Sequence, residues 1–541
     1  MNINTVVTAP YADQCPGTSG LRKKTQTFIT QANYLENYIQ SCLCVVDVDK
    51  HQPIIIGGDG RYYNDIAIQQ TIRIALGNGF TDIRVCQRGL LSTPACSHLI
   101  RHCQATLGFV FSASHNPGGE NGDVGIKLNV ANGGPAPVSL TDEIYAYSQQ
   151  ISHYVIADTA DIDLMDCQYY RFGEARVAVI DGVGDYVKLM QSLFDFALIR
   201  DYLTSNRLQF DAMHAITGPY AKAIFVDCLG VDANDILNAT PLPDFAGQHP
   251  DPSPTTAKTL YNTAMSPDCP FSLLAASDGD GDRNMIVGHK LFVNPSDSLA
   301  VIAANHTAIK QFQSLPFVGV ARSLPTSRAV DVVANALGID CYETPTGWKF
   351  FGNLLDANRI NLCGEESFGT SGHHIREKDG IWAVLCWLSI LATQKQSVSA
   401  VMQSHWARFG RHYYARYDFE GLSVQAGEQI LADLTQKDTK SLQFNQQDCT
   451  ELGHFSYTDP TNQSHISHQG YQVKFGESAR FVVRLSGTGT VGATLRLYLE
   501  VFDSDFMQQP DVVVAPLAQH ALAFIDLARY HHTTQPTAIV C

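Results

Sequence analysis

The stretch Ser112-Ala-Ser-His-Asn-Pro-Gly-Gly-Glu-Asn-Gly-Asp-Val-Gly-Ile-Lys127 follows a short apolar run, Leu107 to Phe111, that reads as a buried strand. Asn116-Pro-Gly-Gly119 breaks that strand into a turn. Ser114 therefore sits where a strand ends and a loop begins, a place where a rigid scaffold often holds an active residue. His115 adjoins it, and Lys127 returns after the glycine-rich excursion. A serine hydroxyl is a weak nucleophile unless a neighbour takes its proton. Spacing alone leaves a second reading open, a structural turn with a capping serine.

Outward from this stretch, the chain is an ordinary globular one. Its 541 residues exceed a single core and suggest three or four domains. Apolar residues make up 45% and charged ones 17%. The formal charge of −16 argues against nucleic acid and anionic membranes as partners, so an anionic substrate would need a local cluster of cations. The 14 cysteines are scattered without CxxC or metal-ligand spacing, which suggests free thiols in a reducing compartment. No apolar region precedes Arg22, the first basic residue, and no run approaches the roughly 18 apolar residues of a spanning helix. A cytoplasmic protein is expected.

Upstream, Pro16-Gly-Thr-Ser-Gly-Leu-Arg-Lys-Lys24 is glycine-rich and ends in three cations, a basic turn by itself. Pro53 to Arg61 reads as a buried strand entering a turn. Ile68, Ile72, Ala75 and Leu76 recur at helical spacing, Gly77-Asn-Gly79 ends that helix, and a strand follows at Asp82 to Cys86. Strand, helix, strand means an α/β domain, placed at residues 1–184.

A second domain, 185–293, opens with a long amphipathic segment, Tyr186 to Leu203. Thr217-Gly-Pro-Tyr220 then reads as a turn before a helix ending at Gly230. An apolar strand, Phe271 to Ala276, delivers Ser277-Asp-Gly-Asp-Gly-Asp-Arg283. Asp278, Asp280 and Asp282 alternate with glycine and form a compact oxygen cage suited to a hard divalent cation. An EF-hand fails, because the sixth and twelfth positions counted from Asp278 are Arg283 and His289 rather than Gly and Glu.

A third domain, 294–410, carries a helix over Ser298 to Phe312, a strand at Phe317 to Ala321 and a helix from Ser327 closed by Gly338. Thr344-Pro-Thr-Gly-Trp-Lys-Phe350 begins another helix. Leu362-Cys-Gly-Glu-Glu-Ser-Phe-Gly369 is a strand and acidic turn, followed by Ile375-Arg-Glu-Lys-Asp-Gly380. Glu365 and Ser367 could share hydrogen bonds with sugar hydroxyls. The last domain, 411–541, offers strands at Phe481 to Leu485 and Ala493 to Glu500 around Ser486-Gly-Thr-Gly-Thr-Val-Gly492, and a closing helix from about Asp511. That loop matches the dinucleotide fingerprint by letter only, since a strand follows where a helix is required. It reads better as a phosphate cradle of backbone amides, with Ser486 and Thr488 hydroxyls and Arg484 and Arg496 forks.

The central stretch resembles the phosphoserine loop of the α-D-phosphohexomutase superfamily, in particular the animal-type, parafusin-like phosphoglucomutase branch. Five motifs occur in that family's order between Arg22 and Glu500, with His373 standing where animal members lead one to expect an acid. The resemblance implies three similar mixed α/β domains and a smaller C-terminal α+β domain. It implies that Ser114 carries the phosphoryl group and, with Asp278, Asp280 and Asp282, holds Mg²⁺. It implies that glucose 1-phosphate and glucose 6-phosphate interconvert through glucose 1,6-bisphosphate. Arg22, Arg283 and Lys378 would supply fixed positive charge near the transferring group, and Arg22, His115, Lys127 and Lys378 become the candidates for moving the proton. Arg22, Asp282, Arg283, Thr346, Gly347, Glu365, Ser367 and Lys378 would contact the sugar phosphate. Arg484, Ser486, Gly487, Thr488 and Arg496 would grip its distal phosphate. A hexose phosphate and no macromolecule is the expected partner, and a monomer the expected state.

Two rivals come from other classes. A serine hydrolase would use Ser114 and His115, but Gly-x-Ser-x-Gly is absent and the aspartates would have no role. A non-enzymatic scaffold relative, or a mutase for another hexose phosphate, is the other alternative; a scaffold should have lost motif residues, and all five motifs are intact.

Overall fold

The computed structural model of the chain describes residues 1–17, 19–437, 442–486, 492–531 and 533–540. The apolar run of the central stretch is strand β1 (Leu107–Phe111), and it returns antiparallel as β2 (Asp123–Val130). β1 also pairs in parallel with Ile54–Gly58, which pairs in parallel with Asp82–Leu90. All five residues of Ile54–Gly58 are buried, which is why this central strand is a continuous apolar run and does not alternate. Leu21–Lys24 adds to the far side of β2, and Ala175–Ile180 and Tyr169–Phe172 complete a seven-stranded mixed sheet.

The next two domains repeat the local plan. In the second, β3 (Leu273–Ser277) lies parallel to Leu208–Asp211 and turns back antiparallel into Asn284–Gly288. In the third, β4 (Leu362–Glu365) lies parallel to Gly319–Ser323 and turns back antiparallel into Gly369–Gly372. The Ser114 stretch, the aspartate loop and Glu366 to Phe368 thus occupy one topological position, the hairpin beyond the carboxyl end of a parallel strand. Ligands of open α/β sheets are commonly bound beyond such ends.

The C-terminal domain is different. β5 (Arg411–Leu422), β6 (Ala479–Ser486) and β7 (Ala493–Asp503) belong to a six-stranded antiparallel sheet covered by a helix at Pro510–Ile525. It has its own core, while one continuous core joins the first three domains. Helix α1 (Gly380–Gln394) runs through that shared core. Thirteen of its residues, from Gly380 to Ala392, are buried, so it is apolar on every side. No helix among the described residues is long and apolar enough to cross a membrane, and the described cysteines are all free thiols.

Three local expectations differ from what is seen. Thr217 to Ala221 is helical, not a turn, because Pro219 falls in a first turn where its missing N–H is not needed. Tyr186 to Leu203 is two helices, since the Asp195 carboxylate caps a new start by accepting from the Ala197 and Leu198 amides at 3.1 Å. The helix expected over Ser298 to Phe312 runs instead over Pro295–Ala304, where the Asn305 side chain donates to the Val301 carbonyl at 2.8 Å.

A buried ion cluster joins the third and fourth domains. Arg480 donates to Glu500 at 2.5 Å and to Glu343 at 3.0 Å. Arg328 and His412 also reach Glu500, and Arg322 reaches Glu343. Burial alone would raise the carboxyl of Glu343, but Arg322 and Arg480 outweigh it and hold it at about 2. Arg480, with His412 and Arg328, likewise overcomes burial and holds Glu500 well below the glutamate range. Both carboxylates thus stabilise the fold fully above about pH 4.3, and the contribution is lost as pH falls towards their folded values. A Glu500→Gln variant leaves buried cations uncompensated and should lose about 3–5 kcal/mol. Urea unfolding at neutral pH should show a lowered midpoint that converges with wild type as pH drops below 4; an unchanged midpoint at neutral pH would contradict this reading of the interface.

Candidate active site

Ser114 is buried and adopts φ 54°, the left-handed region that non-glycine residues seldom enter. Its surroundings hold it there. Its amide donates to the Ser112 hydroxyl at 2.8 Å, and its carbonyl accepts from the Arg61 guanidinium at 2.7 Å. Arg61 is itself buried against Asp59 and also donates to the Asp123 carbonyl, so it ties both ends of the loop to one point. The Ser114 hydroxyl donates to Asp278 at 2.9 Å, and the His115 ring lies 3.5 Å from the same oxygen.

Asp278, Asp280 and Asp282 present carboxylate oxygens within 4.8 Å of one another, all at 1% exposure or less. Gly279 lets this loop approach, since a Cβ there would meet the Ser114 carbonyl at 2.3 Å. Burial and its two acidic neighbours push Asp278 well above the aspartate range. Asp280 goes the other way, because the Lys127 ammonium and the Thr93 hydroxyl outweigh burial. Lys127 bonds Asp280 and lies 3.4 Å from Asp282, and Lys378 reaches Asp282 from the third domain at 3.3 Å. One oxygen each of Asp280 and Asp282 is buried with no hydrogen-bond partner among the described residues. Three buried carboxylates with unspent oxygens fit a hard divalent cation.

The remaining expected residues arrive from all sides. Arg22 lies on the strand beside β2, opposite Gly125, and its charge acts on Asp280 and Arg283. Arg283 bonds Asp251 at 3.0 Å and faces Asp278 at 3.9 Å. Burial, then the charges of Arg283 and Arg22, hold the His115 imidazole far below its usual range, so it is neutral. Gly347, at φ 131°, opens helix α2 (Trp348–Asp356) and donates its amide to Glu365 at 3.1 Å. The Thr346 hydroxyl is buried and unpartnered among the described residues.

A single cavity is lined by Lys127 and Asp282 together with Thr346, Glu365, Ser367 and Lys378. Its far wall holds Arg484 and Arg496, which face each other across the β6–β7 register. Ser486 ends β6 and its hydroxyl donates back to the Thr494 carbonyl at 3.4 Å. Gly487 and Thr488 lie outside the described residues. His373 stands apart, beside Gln311 and Phe312.

Sequence reasoning missed several groups here. Arg61 and Glu377 lie within quoted motifs but were given no role. Glu377 lines the cavity, accepts from Asn129 at 3.0 Å, and is raised by burial to about 7. Thr93 follows Ser92, which caps a helix at the Ala95 amide, and only that helix-start signal marks it. Trp348, under the Lys378 ammonium at 5.6 Å, and Tyr498 carry no motif signal.

Comparison with known proteins bears on the fold and the family. Models of the phosphoglucomutase/phosphomannomutase α/β/α domains I, II and III match residues 13–155, 184–290 and 295–409. The phosphoglucomutase-1 C-terminal domain matches residues 411–537. A phosphoglucomutase of Rhizobium radiobacter is 48% identical over 543 residues, covering 99% of this chain and all of the relative. Human phosphoglucomutase-1 is 46% identical over 562 residues, covering the whole of both. Among solved structures, the open form of the exocytosis-sensitive phosphoprotein pp63/parafusin, a phosphoglucomutase from Paramecium, superposes with a TM-score of 0.92 at 43% identity over 99% of each chain. The chain belongs to the phosphoglucomutase/phosphomannomutase family.

Proposed function

We propose that the protein is a phosphoglucomutase that interconverts glucose 1-phosphate and glucose 6-phosphate through a phosphoserine at Ser114 and glucose 1,6-bisphosphate. The observation that carries this reading is the Ser114 hydroxyl, held in a left-handed turn 2.9 Å from the first of three clustered carboxylates. Asp278, Asp280 and Asp282, with an oxygen of phosphorylated Ser114, would hold Mg²⁺. When bound, the ion offsets the repulsion between phosphoserine and a phosphorylated substrate and polarises the phosphoryl group.

The chain's own groups supply the rest. Arg22, Arg283 and Lys378 bring fixed positive charge to the transferring phosphoryl group. The free sugar hydroxyl attacks phosphorus while the bond from phosphorus to the Ser114 oxygen breaks. The proton of that hydroxyl passes to a nearby base, and the serine oxygen is reprotonated. Neutral His115 is the candidate to take that proton, and the Lys127 and Lys378 ammoniums, kept protonated by the carboxylates around them, are the candidates to return one to the serine oxygen. Glu365 and Ser367, with Thr346 and Gly347, orient the sugar. Arg484 and Arg496, with Ser486, Gly487 and Thr488, grip the phosphate that is not transferred. The bisphosphate turns around in the cavity, and Ser114 takes back the other phosphate.

Two outcomes test this. Ser114→Ala should abolish both turnover and incorporation of labelled phosphate from glucose 1,6-bisphosphate, and near-wild-type turnover would contradict the covalent mechanism. Glu365→Gln should lower kcat/KM for glucose 1-phosphate by about tenfold to hundredfold, as expected for one hydrogen bond to a charged group. Its Ser114 should still accept phosphate from the bisphosphate, and an unchanged kcat/KM would remove Glu365 from sugar recognition.

A further inference from the structure

One face of the C-terminal sheet is a ladder leading into the cavity. The register of β5, β6 and β7 sets Tyr414, Arg480 and Glu500 on one rung, Arg416, Val482 and Tyr498 on the next, and Asp418, Arg484 and Arg496 on a third. Alternate residues share a face, so the rungs follow each other at about 7 Å. The first rung is anchored to the third domain by the ion cluster and by the Tyr414 hydroxyl, which donates to the Pro325 carbonyl at 3.0 Å. The third rung presents the two guanidiniums of the cavity wall.

Tyr498 stands between them at 2% exposure. Its ring packs with Leu324, Tyr414 and Val482. Its hydroxyl is buried and has no hydrogen-bond partner among the described residues, yet Tyr498 lines the cavity beside Arg484, Arg496 and Glu366. The Nε of Arg496, 3.8 Å from the Asp418 carboxylate, and one carboxylate oxygen of Glu366 are buried without a hydrogen-bond partner among the described residues. A phenol hydroxyl is unfavourable to bury unpaired, and the two donors, Tyr498 and Arg496, call for a ligand that brings acceptors, whereas the Glu366 oxygen would take a donor.

We propose that the Tyr498 hydroxyl is a further substrate contact, donating a hydrogen bond to an oxygen of the non-transferred phosphate from the rung beneath Arg484 and Arg496. Chemistry and position agree. A phosphate dianion offers only acceptors, and the phenol and the Arg496 Nε offer unspent donors. Glu366 shares this wall; burial and the adjacent Glu365 raise its carboxyl, against the pull of Arg416, Arg484 and Arg496. The contact rests on the mutase reading above. It would grip each phosphate in turn as the bisphosphate reorients, so its loss should show as escape of the intermediate.

Tyr498→Phe keeps the ring and removes only the oxygen. Variant and wild type are compared for KM with glucose 1-phosphate, release of labelled glucose 1,6-bisphosphate per turnover, phosphate transfer from saturating bisphosphate to Ser114, and melting temperature. The expected result is a rise of about tenfold in both KM and release, the weight of one hydrogen bond to a charged oxygen, with Ser114 labelling and melting temperature unchanged. Unchanged KM and release would overturn the proposal, whether or not the melting temperature falls, since a fall alone would mean a packing role. A failure of the mutase reading is distinguishable, because wild type itself would then not interconvert the two sugar phosphates, and the contact would fall with it.

Discussion

Three aspartates buried within 4.8 Å of one another are the constraint around which this molecule is built. Like charges so close and so dry cannot all stay ionised without cations to meet them. The chain brings those cations from different domains. Lys127 comes from the first, Arg283 from the loop itself, and Lys378 from the third. By drawing partners from separate domains, the three carboxylates tie those domains together electrostatically. Ser114 joins the same cluster through its hydrogen bond to Asp278.

The repeated plan of the first three domains explains how such distant residues meet. Each domain places its active loop in the hairpin after a parallel strand, and the three hairpins converge. An isolated bridge between Arg283 and Gly369 and the close approach of Gly279 to the Ser114 carbonyl stitch them together. The fourth domain joins by another route, a buried ion cluster and a ladder of alternate side chains. Its cradle is thus set by the register of its own strands and by a face that packs on Leu324 of the third domain.

Much of this was legible in the sequence because strand and glycine signals are local. The run Leu107 to Phe111, the alternating Asp and Gly of the cage, and Gly338 closing its helix at φ 66° all stand where the pattern puts them. What stayed hidden was set by contacts between distant residues. The sequence shows Arg61 but not that it reaches the Ser114 carbonyl, and Tyr498 but not that its rung lies under the arginines. The repetition of one hairpin in three domains has no residue signal of its own, since topology repeats there without repeating residues; only the family resemblance implied three similar domains. Helices were misplaced where capping decided the matter, as at Asp195 and Asn305, because a cap depends on where a side chain turns.

The proposed mechanism depends most on the cage and the Ser114 oxygen forming one metal centre. Crystals of the Ser114-phosphorylated protein soaked in Mn²⁺ would test it most directly, by anomalous diffraction. The account predicts one strong site bonded to Asp278, Asp280, Asp282 and a phosphoserine oxygen. Manganese bound elsewhere, or no ordered manganese at the aspartates at saturating metal, would contradict it.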